Sequence, residues 1–169
     1  MKKLLIAMFV LSLQACGTLE YTPETYEIAA DRIPDFPLAG TVSVTNDQQD
    51  KTPRILFDNG ATQFSSNYHA VTAHMVKQLT EEIKKHGQVK NSGTKKTIAV
   101  KITSLTAEAK FFHFNTAMSF NVTLGNGKSF TLSVTQGSPA SVPHALNGTV
   151  ALGVIQILKQ NQVLKYLEE

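Results

Sequence analysis

Five histidines and thirteen carboxylates are the side chains of this 169-residue sequence that could move protons or hold a metal. Acid–base catalysis needs two such groups placed on either side of one bond, and nothing in their spacing supplies that arrangement. All five aspartates lie between Asp31 and Asp58, and beyond them stand only Glu81, Glu82, Glu108, Glu168 and Glu169. Glu81 and Glu82 belong to the polar side of a helix, and Glu168 and Glu169 to the tail. His69 and His74 are five residues apart, which puts them on different sides of a helix rather than one above the other. Together with His86, His113 and His144 they form no metal-ligand spacing, and solvent-facing or capping positions account for them. Ser138-Pro139-Ala140-Ser141 lies in a turn between strand and helix but lacks the glycine-flanked serine of a hydrolase elbow, so chain reversal and helix capping explain it. No catalytic residue, metal or cofactor is expected. An enzyme would need His69, His113 or His144 to converge with Asp47, Asp50 or Asp58 in space.

Cys16 is the one residue with a specific chemistry in view. It is the only cysteine, so an internal disulfide is closed to it. Before it come Lys2 and Lys3, an apolar run from Leu4 to Leu13 and the small Ala15. That is the layout of a secretory signal whose apolar stretch is too short to span a bilayer. The junction Leu13-Gln14-Ala15-Cys16 resembles the lipobox of bacterial lipoproteins, with an aliphatic residue at minus three, a small one at minus one and cysteine at plus one. The expectation is cleavage before Cys16 and acylation of its sulfur, and several acyl chains on one residue make a stable membrane anchor. Gly17 rather than aspartate after the cysteine points to the outer membrane by the sorting rules of that class. Loss of Lys2 and Lys3 with the signal takes the formal charge from +3 to about +1, which leaves a nucleic-acid partner little support.

Three segments follow from this reading: a signal peptide over 1–15, a lipidated N-terminus and extended tether over 16–39 marked by Pro23, Pro34 and Pro37, and one periplasmic domain over 40–169. Tyr21, Tyr26, Ile28, Ile33 and Phe36 are more apolar side chains than a linker needs, so part of the tether is expected across the domain surface. Val42 and Val44 alternate with polar residues in a first strand, and Arg54 to Phe57 suit a short second one before the Asn59-Gly60 turn. Val71, Met75, Leu79 and Ile83 recur every four residues in a helix over 66–86, with Lys84, Lys85 and His86 at the negative end of its dipole and Gly87 as its cap.

The period then changes to two. Ile98, Val100 and Ile102, then Met118, Phe120, Val122 and Leu124, then Phe130, Leu132 and Val134 mark three strands, the last two joined by the hairpin Gly125-Asn126-Gly127-Lys128. Their other face carries Lys, Ser, Thr and Asn and is expected to be wet. A last helix runs from 143 or 144 to 167, with Gly148 and Gly153 suited to close packing on a sheet at about 1 kcal/mol each in helix propensity. The order β(β)αβββα gives an α+β two-layer sandwich: an antiparallel sheet of about four strands with two helices on one face.

Phe111-Phe112-His113-Phe114, between the first two strands of the meander, is the candidate interaction surface. Alternation sends at least one of these phenylalanines away from the helix-covered side. The stretch either extends the core or forms an aromatic lip for membrane, lipid or a partner.

The strand Ile98-Ala-Val-Lys-Ile-Thr-Ser-Leu105, the Gly125-Asn126-Gly127-Lys128 turn, the closing Val163-Leu-Lys-Tyr-Leu167, the helix ending His86-Gly87 and the lipobox together resemble the YajG-like lipoproteins. That resemblance implies a lipid-anchored periplasmic α+β domain of the kind also found in LPS-assembly lipoproteins and in auxiliary lipoproteins of ABC-type lipid transporters. It brings no catalytic residues with it. The function so indicated is a non-enzymatic accessory or docking subunit of an envelope assembly or transport complex, held to the membrane by lipid on Cys16 and engaging an envelope protein. A lipid- or glycan-binding module that uses the open sheet face and the Phe111 to Phe114 stretch is the alternative. Changing Cys16→Ser is expected to abolish incorporation of labelled palmitate and to move the protein from the membrane to the soluble fraction; retention in both respects would refute acylation at this residue.

Overall fold

The computed structural model describes residues 17–169 apart from positions 92 and 94; the expected signal peptide and the acylated Cys16 lie outside the described residues. In chain order the elements are β1 (Thr18–Glu20), a single 3-10 turn (Ala30–Arg32), β2 (Phe36–Ala39), β3 (Val42–Asn46), β4 (Arg54–Asp58), β5 (Gln63–Ser66), α1 (Tyr68–His86), β6 (Gly87–Asn91), β7 (Lys96–Ala109), β8 (Phe114–Leu124), β9 (Ser129–Ser138), α2 (Val142–Leu158) and α3 (Asn161–Glu168). The main sheet has the order β3-β7-β8-β9, as the α+β sandwich requires.

Alternation builds that sheet. Ile98, Val100, Ile102 and Leu105 of β7, Met118, Phe120, Val122 and Leu124 of β8 and Val134 of β9 are all buried on one face. Full burial of each such side chain contributes about 1.5–3 kcal/mol. Both long helices cover that face: a Cβ built on Gly153 of α2 would stand 2.5 Å from Met118 Cε, 2.8 Å from Met75 Cε of α1 and 3.3 Å from Phe120. Sheet and both helices therefore meet at one point, and the absent side chain at 153 is what lets them.

The sheet is mixed rather than wholly antiparallel. β7–β8 and β8–β9 are antiparallel, but β3 pairs in parallel with β7, Val44 opposite Ile98. Between β3 and β7 the chain passes through α1, and a helical crossover returns it to the same end of the sheet, where only a parallel strand fits. A bulge interrupts β7 between Ile102 and Ser104. The backbone groups of Ile102 beside it are satisfied by side chains: its N–H donates to Thr72 Oγ1 at 3.2 Å and its carbonyl accepts from Gln48 Nε2 at 2.6 Å.

α1 begins where Asn67 Oδ1 accepts the Ala70 N–H at 2.7 Å, an N-cap. It ends at Gly87, whose role is closeness rather than unusual backbone: φ is −80, and a Cβ there would lie 2.6 Å from the Ile83 carbonyl oxygen. In the hairpin between β8 and β9 only Gly127 uses positive φ (85°). The last helix is two helices. Gln160 is extended, and α3 turns Val163, Tyr166 and Leu167 into the core against β2. One straight helix would carry them past the edge.

The segment expected as a tether is built into the domain. α2 is apolar on nearly every side, and such a helix needs cover on every side. The sheet covers one side, and Tyr21, Ile28, Ile33, Phe36 and Leu38 are buried with it on the core's other flank. β1 pairs in parallel with β5 beside β4, and β2 in parallel with β6, so the segment is also hydrogen-bonded into two small sheets. Asn147 on α2 pins it: Oδ1 accepts from the Tyr21 hydroxyl at 2.7 Å and from the Glu24 N–H at 3.1 Å. Burial, and then the Glu24 charge, hold the Tyr21 hydroxyl above its ordinary pKa, so it stays a donor. Asn147→Ala orphans both donors and is expected to cost about 2–3 kcal/mol in urea unfolding, against about 1 kcal/mol for Tyr21→Phe. Equal costs for the two would show that Asn147 does not hold the segment.

Candidate interaction surface

β7 and β8 remain paired up to Ala109 opposite Phe114, and Lys110 to His113 close the hairpin with the Lys110 N–H donating to the His113 carbonyl at 2.8 Å. So short a connection cannot fold its own side chains inward. Phe111 is 91% exposed and Phe112 81%, their rings edge to face at 4.4 Å and 85°. Phe114 turns the other way: its ring meets Phe57 at 5.7 Å, and Phe57 in turn packs on Phe64 at 6.2 Å. Core extension therefore describes Phe114 alone. His113 is exposed at the tip beside Gly137. Lys110 Nζ lies 2.9 Å from Glu108, and its hydrogen bond holds that carboxyl below its ordinary pKa.

The uncovered face of the main sheet runs down from this tip. Cross-strand rungs of hydroxyl and amide groups occupy it: Ser119 with Ser133 at 2.9 Å, Thr123 with Ser129 at 3.0 Å, and Thr131 Oγ1 donating to Asn121 Oδ1 at 2.9 Å. Near the tip the face hollows into an open trough of about 490 Å³ lined by Thr106, Glu108, Asn115, Thr135 and Gly137 among others. Its lining offers hydroxyl, carboxylate and amide groups, the set that pairs with polyhydroxylated ligands. A more apolar groove of about 290 Å³ lies elsewhere, among Leu38, Val42, Val44, Ile83 and Val89.

His69 reaches the Asp50 loop, its backbone N–H donating to the Asp50 carbonyl at 3.3 Å, while among the described residues no side-chain hydrogen bond or ion pair joins His69, His113 or His144 to Asp47, Asp50 or Asp58. Asp50 is held well below the usual carboxylate range, first by the Thr52 hydroxyl and then by the Arg54 guanidinium at 2.7 Å. Asp58 is lowered by the Gly60 N–H and the Gln63 amide. Both serve their own loops. His69 Nδ1 lies 3.2 Å from the Asn46 amide, and His144 sits edge-on to Tyr26 at 5.1 Å. His86 stands in the last turn of α1, as its place in the sequence suggests, and is buried there. Its Nδ1 is 3.1 Å from Asp35 Oδ1, and its Nε2 is 3.3 Å from Glu82 Oε2, within ion-pair range though not aligned as a hydrogen bond. Only Glu82, one turn back on α1, was within reach of sequence reasoning; Asp35 arrives through the β2–β6 pairing. Among the described residues no group of three His, Cys, Asp or Glu side chains is placed to hold a metal ion.

No family model matches the chain, and no curated protein matches it either. Among solved structures it is similar to a Xanthomonas campestris protein of the DUF330 family model, at 12% identity over 90% of this chain and 95% of that one, TM-score 0.48. A Helicobacter pylori protein described as a neuraminyllactose-binding hemagglutinin homologue aligns at 9% identity over 90% and 97%, TM-score 0.38. The lipoprotein GNA1162 of Neisseria meningitidis aligns at 14% identity over 75% of this chain and all of that one, TM-score 0.31. Among the described residues no helix is long and apolar enough to cross a membrane.

His74, half-buried on α1, carries a pH dependence. Burial lowers its pKa from the ordinary 6.5 and outweighs a hydrogen bond to the Glu24 backbone that raises it. The unfolded chain thus takes up a proton that the folded protein resists, and the contribution is fully present above the ordinary value and lost as pH falls below it. His74→Gln is expected to flatten the decline in urea midpoint between about pH 7 and pH 5. An unchanged slope would assign that decline to other groups.

Proposed function

We propose that this chain is a lipid-anchored lipoprotein of a Gram-negative-type envelope, fixed to the outer membrane through Cys16 with its domain in the periplasm, and that it works as a non-enzymatic accessory or docking subunit of an assembly or transport complex. The lipobox-like Leu13-Gln14-Ala15-Cys16 and the resemblance in pattern to YajG-like lipoproteins support the anchor and the class. The observation that carries the docking role is the uncovered face of the main sheet. It is long and preorganised, its hydroxyl rungs present donors and acceptors at fixed spacing, and no element of the described chain covers it. Rigid polar faces bind without first being ordered, which lowers the entropy cost of association.

A second reading has its own observation. The trough beside the tip brings Glu108, Asn115, Thr106 and Thr135 together, chemistry suited to a glycan or a lipid headgroup. Affinity purification of the acylated protein from mild-detergent envelopes, with Cys16→Ser as the unanchored control, separates the two. A stoichiometric protein partner is expected, retained about tenfold less well by Thr131→Arg, because a central contact is worth about 1.4 kcal/mol or more. Recovery of lipid or glycan without protein would put the binding-module reading first, and recovery of neither would sink both.

A further inference from the structure

Two features of separate origin lie at one end of the molecule. The first is the aromatic tip. The second is the point where the described chain begins, one residue after Cys16: β1 starts with Thr18 opposite Gln63, and a small cleft brings Gly17 together with Gly60, Ala61 and Gln63. A row of apolar side chains leads from one to the other. Leu19 stands opposite Phe64 in register, Phe64 opposite Phe57, and the Phe57 ring meets Phe114, the first residue after the tip. In-register neighbours share a face of their sheet, so Leu19, itself 51% exposed, stands at the outer end of a row that passes through buried Phe57 to Phe114, and the start of β1 is thereby placed near the hairpin that carries Phe111 and Phe112.

We propose that this end is the membrane-contacting surface of the protein, with Phe111 and Phe112 inserted into the interfacial layer of the same bilayer that holds the acyl chains of Cys16; the inference rests on the anchor reading above. Among the described residues the two adjacent phenylalanines pack on each other and otherwise stand open to solvent, and a lipid surface is the occupant whose reach is set by covalent connection. The acylated residue lies one position from Gly17, so wherever the anchor enters the bilayer the tip is brought to its surface. Among the described residues of the tip the one lysine, Lys110, pairs with Glu108 at 2.9 Å, so contact depends more on apolar burial than on charge. Orientation follows. β7 and β8 rise from the bilayer, and the Gly125 to Lys128 hairpin stands at the far end, about 35 Å away by the length of eleven extended residues. The docking face is then presented side-on, with its trough next to the headgroups.

The chain contains no tryptophan, so a single introduced one reports its own surroundings. Full-length acylated Phe112→Trp, Phe111→Trp as a second reporter and Lys128→Trp at the far hairpin are reconstituted in phosphatidylethanolamine–phosphatidylglycerol vesicles with or without brominated acyl chains. Circular dichroism matches the folds, and the mass of the N-terminal peptide gives the acyl state. The expected result is flotation of all three, blue-shifted emission with loss of most intensity to the brominated lipid for the two tip reporters, and neither effect at position 128. Acylated protein that floats while its tip reporters stay unquenched overturns the inference and leaves the anchor standing, as does equal quenching at position 128. An unacylated terminus removes the anchor reading and the inference with it.

Discussion

α2 is apolar on nearly every side, and the architecture answers to the need to cover it. One side is met by the sheet, at a contact so close that a side chain at 153 would displace the ends of Met118 and Met75. The other is met by the N-terminal segment, fastened through Asn147 to Tyr21 and Glu24. A polar side chain on so apolar a helix is expensive unless paired, and Asn147 is paired twice. Thr149 answers the same demand toward the sheet, its hydroxyl bonding both Thr116 and the Ala145 carbonyl. The parallel strands β1 and β2 follow from the route the segment must take to lie where it does.

Regular periods were legible in the sequence, and long-range consequences were not. α1 and the three strands of the meander stood out because their apolar residues repeat at four or two with little interruption, and the wet face followed from the polar alternates. β5, with the sequence Gln63-Phe-Ser-Ser66, has no such period; it exists because β4 and β1 lie on either side of it. The segment over 18–39 has prolines and mixed polarity that read locally as a linker, while the surplus of Tyr and Ile hinted at burial. What decides is that α2, over a hundred residues later, leaves a side bare. The break at Gln160 was hidden in the same way, since apolar residues on either side of it fit one helical stripe but two different neighbours.

At the surface, the Phe111–Phe114 stretch showed the same limit. Alternation established that its rings could not all face one way, but not that the hairpin would turn within four residues and leave two of them without any wall to pack on. Phe114 finds one because β4 brings Phe57 to it. His86 is the counterpart among polar groups. A basic residue in the last turn of a helix suits the dipole, but its burial between Glu82 and Asp35 depends on a strand from the N-terminal segment.

The hydrogen bond between Tyr21 and Asn147 spans 126 positions of sequence, and β1 reaches 45 positions to Gln63. Contacts so distant in sequence set a high contact order, and loop-closure entropy must be met before they return anything. The core therefore closes late, when the last third of the chain is present and its start is free to wrap round it.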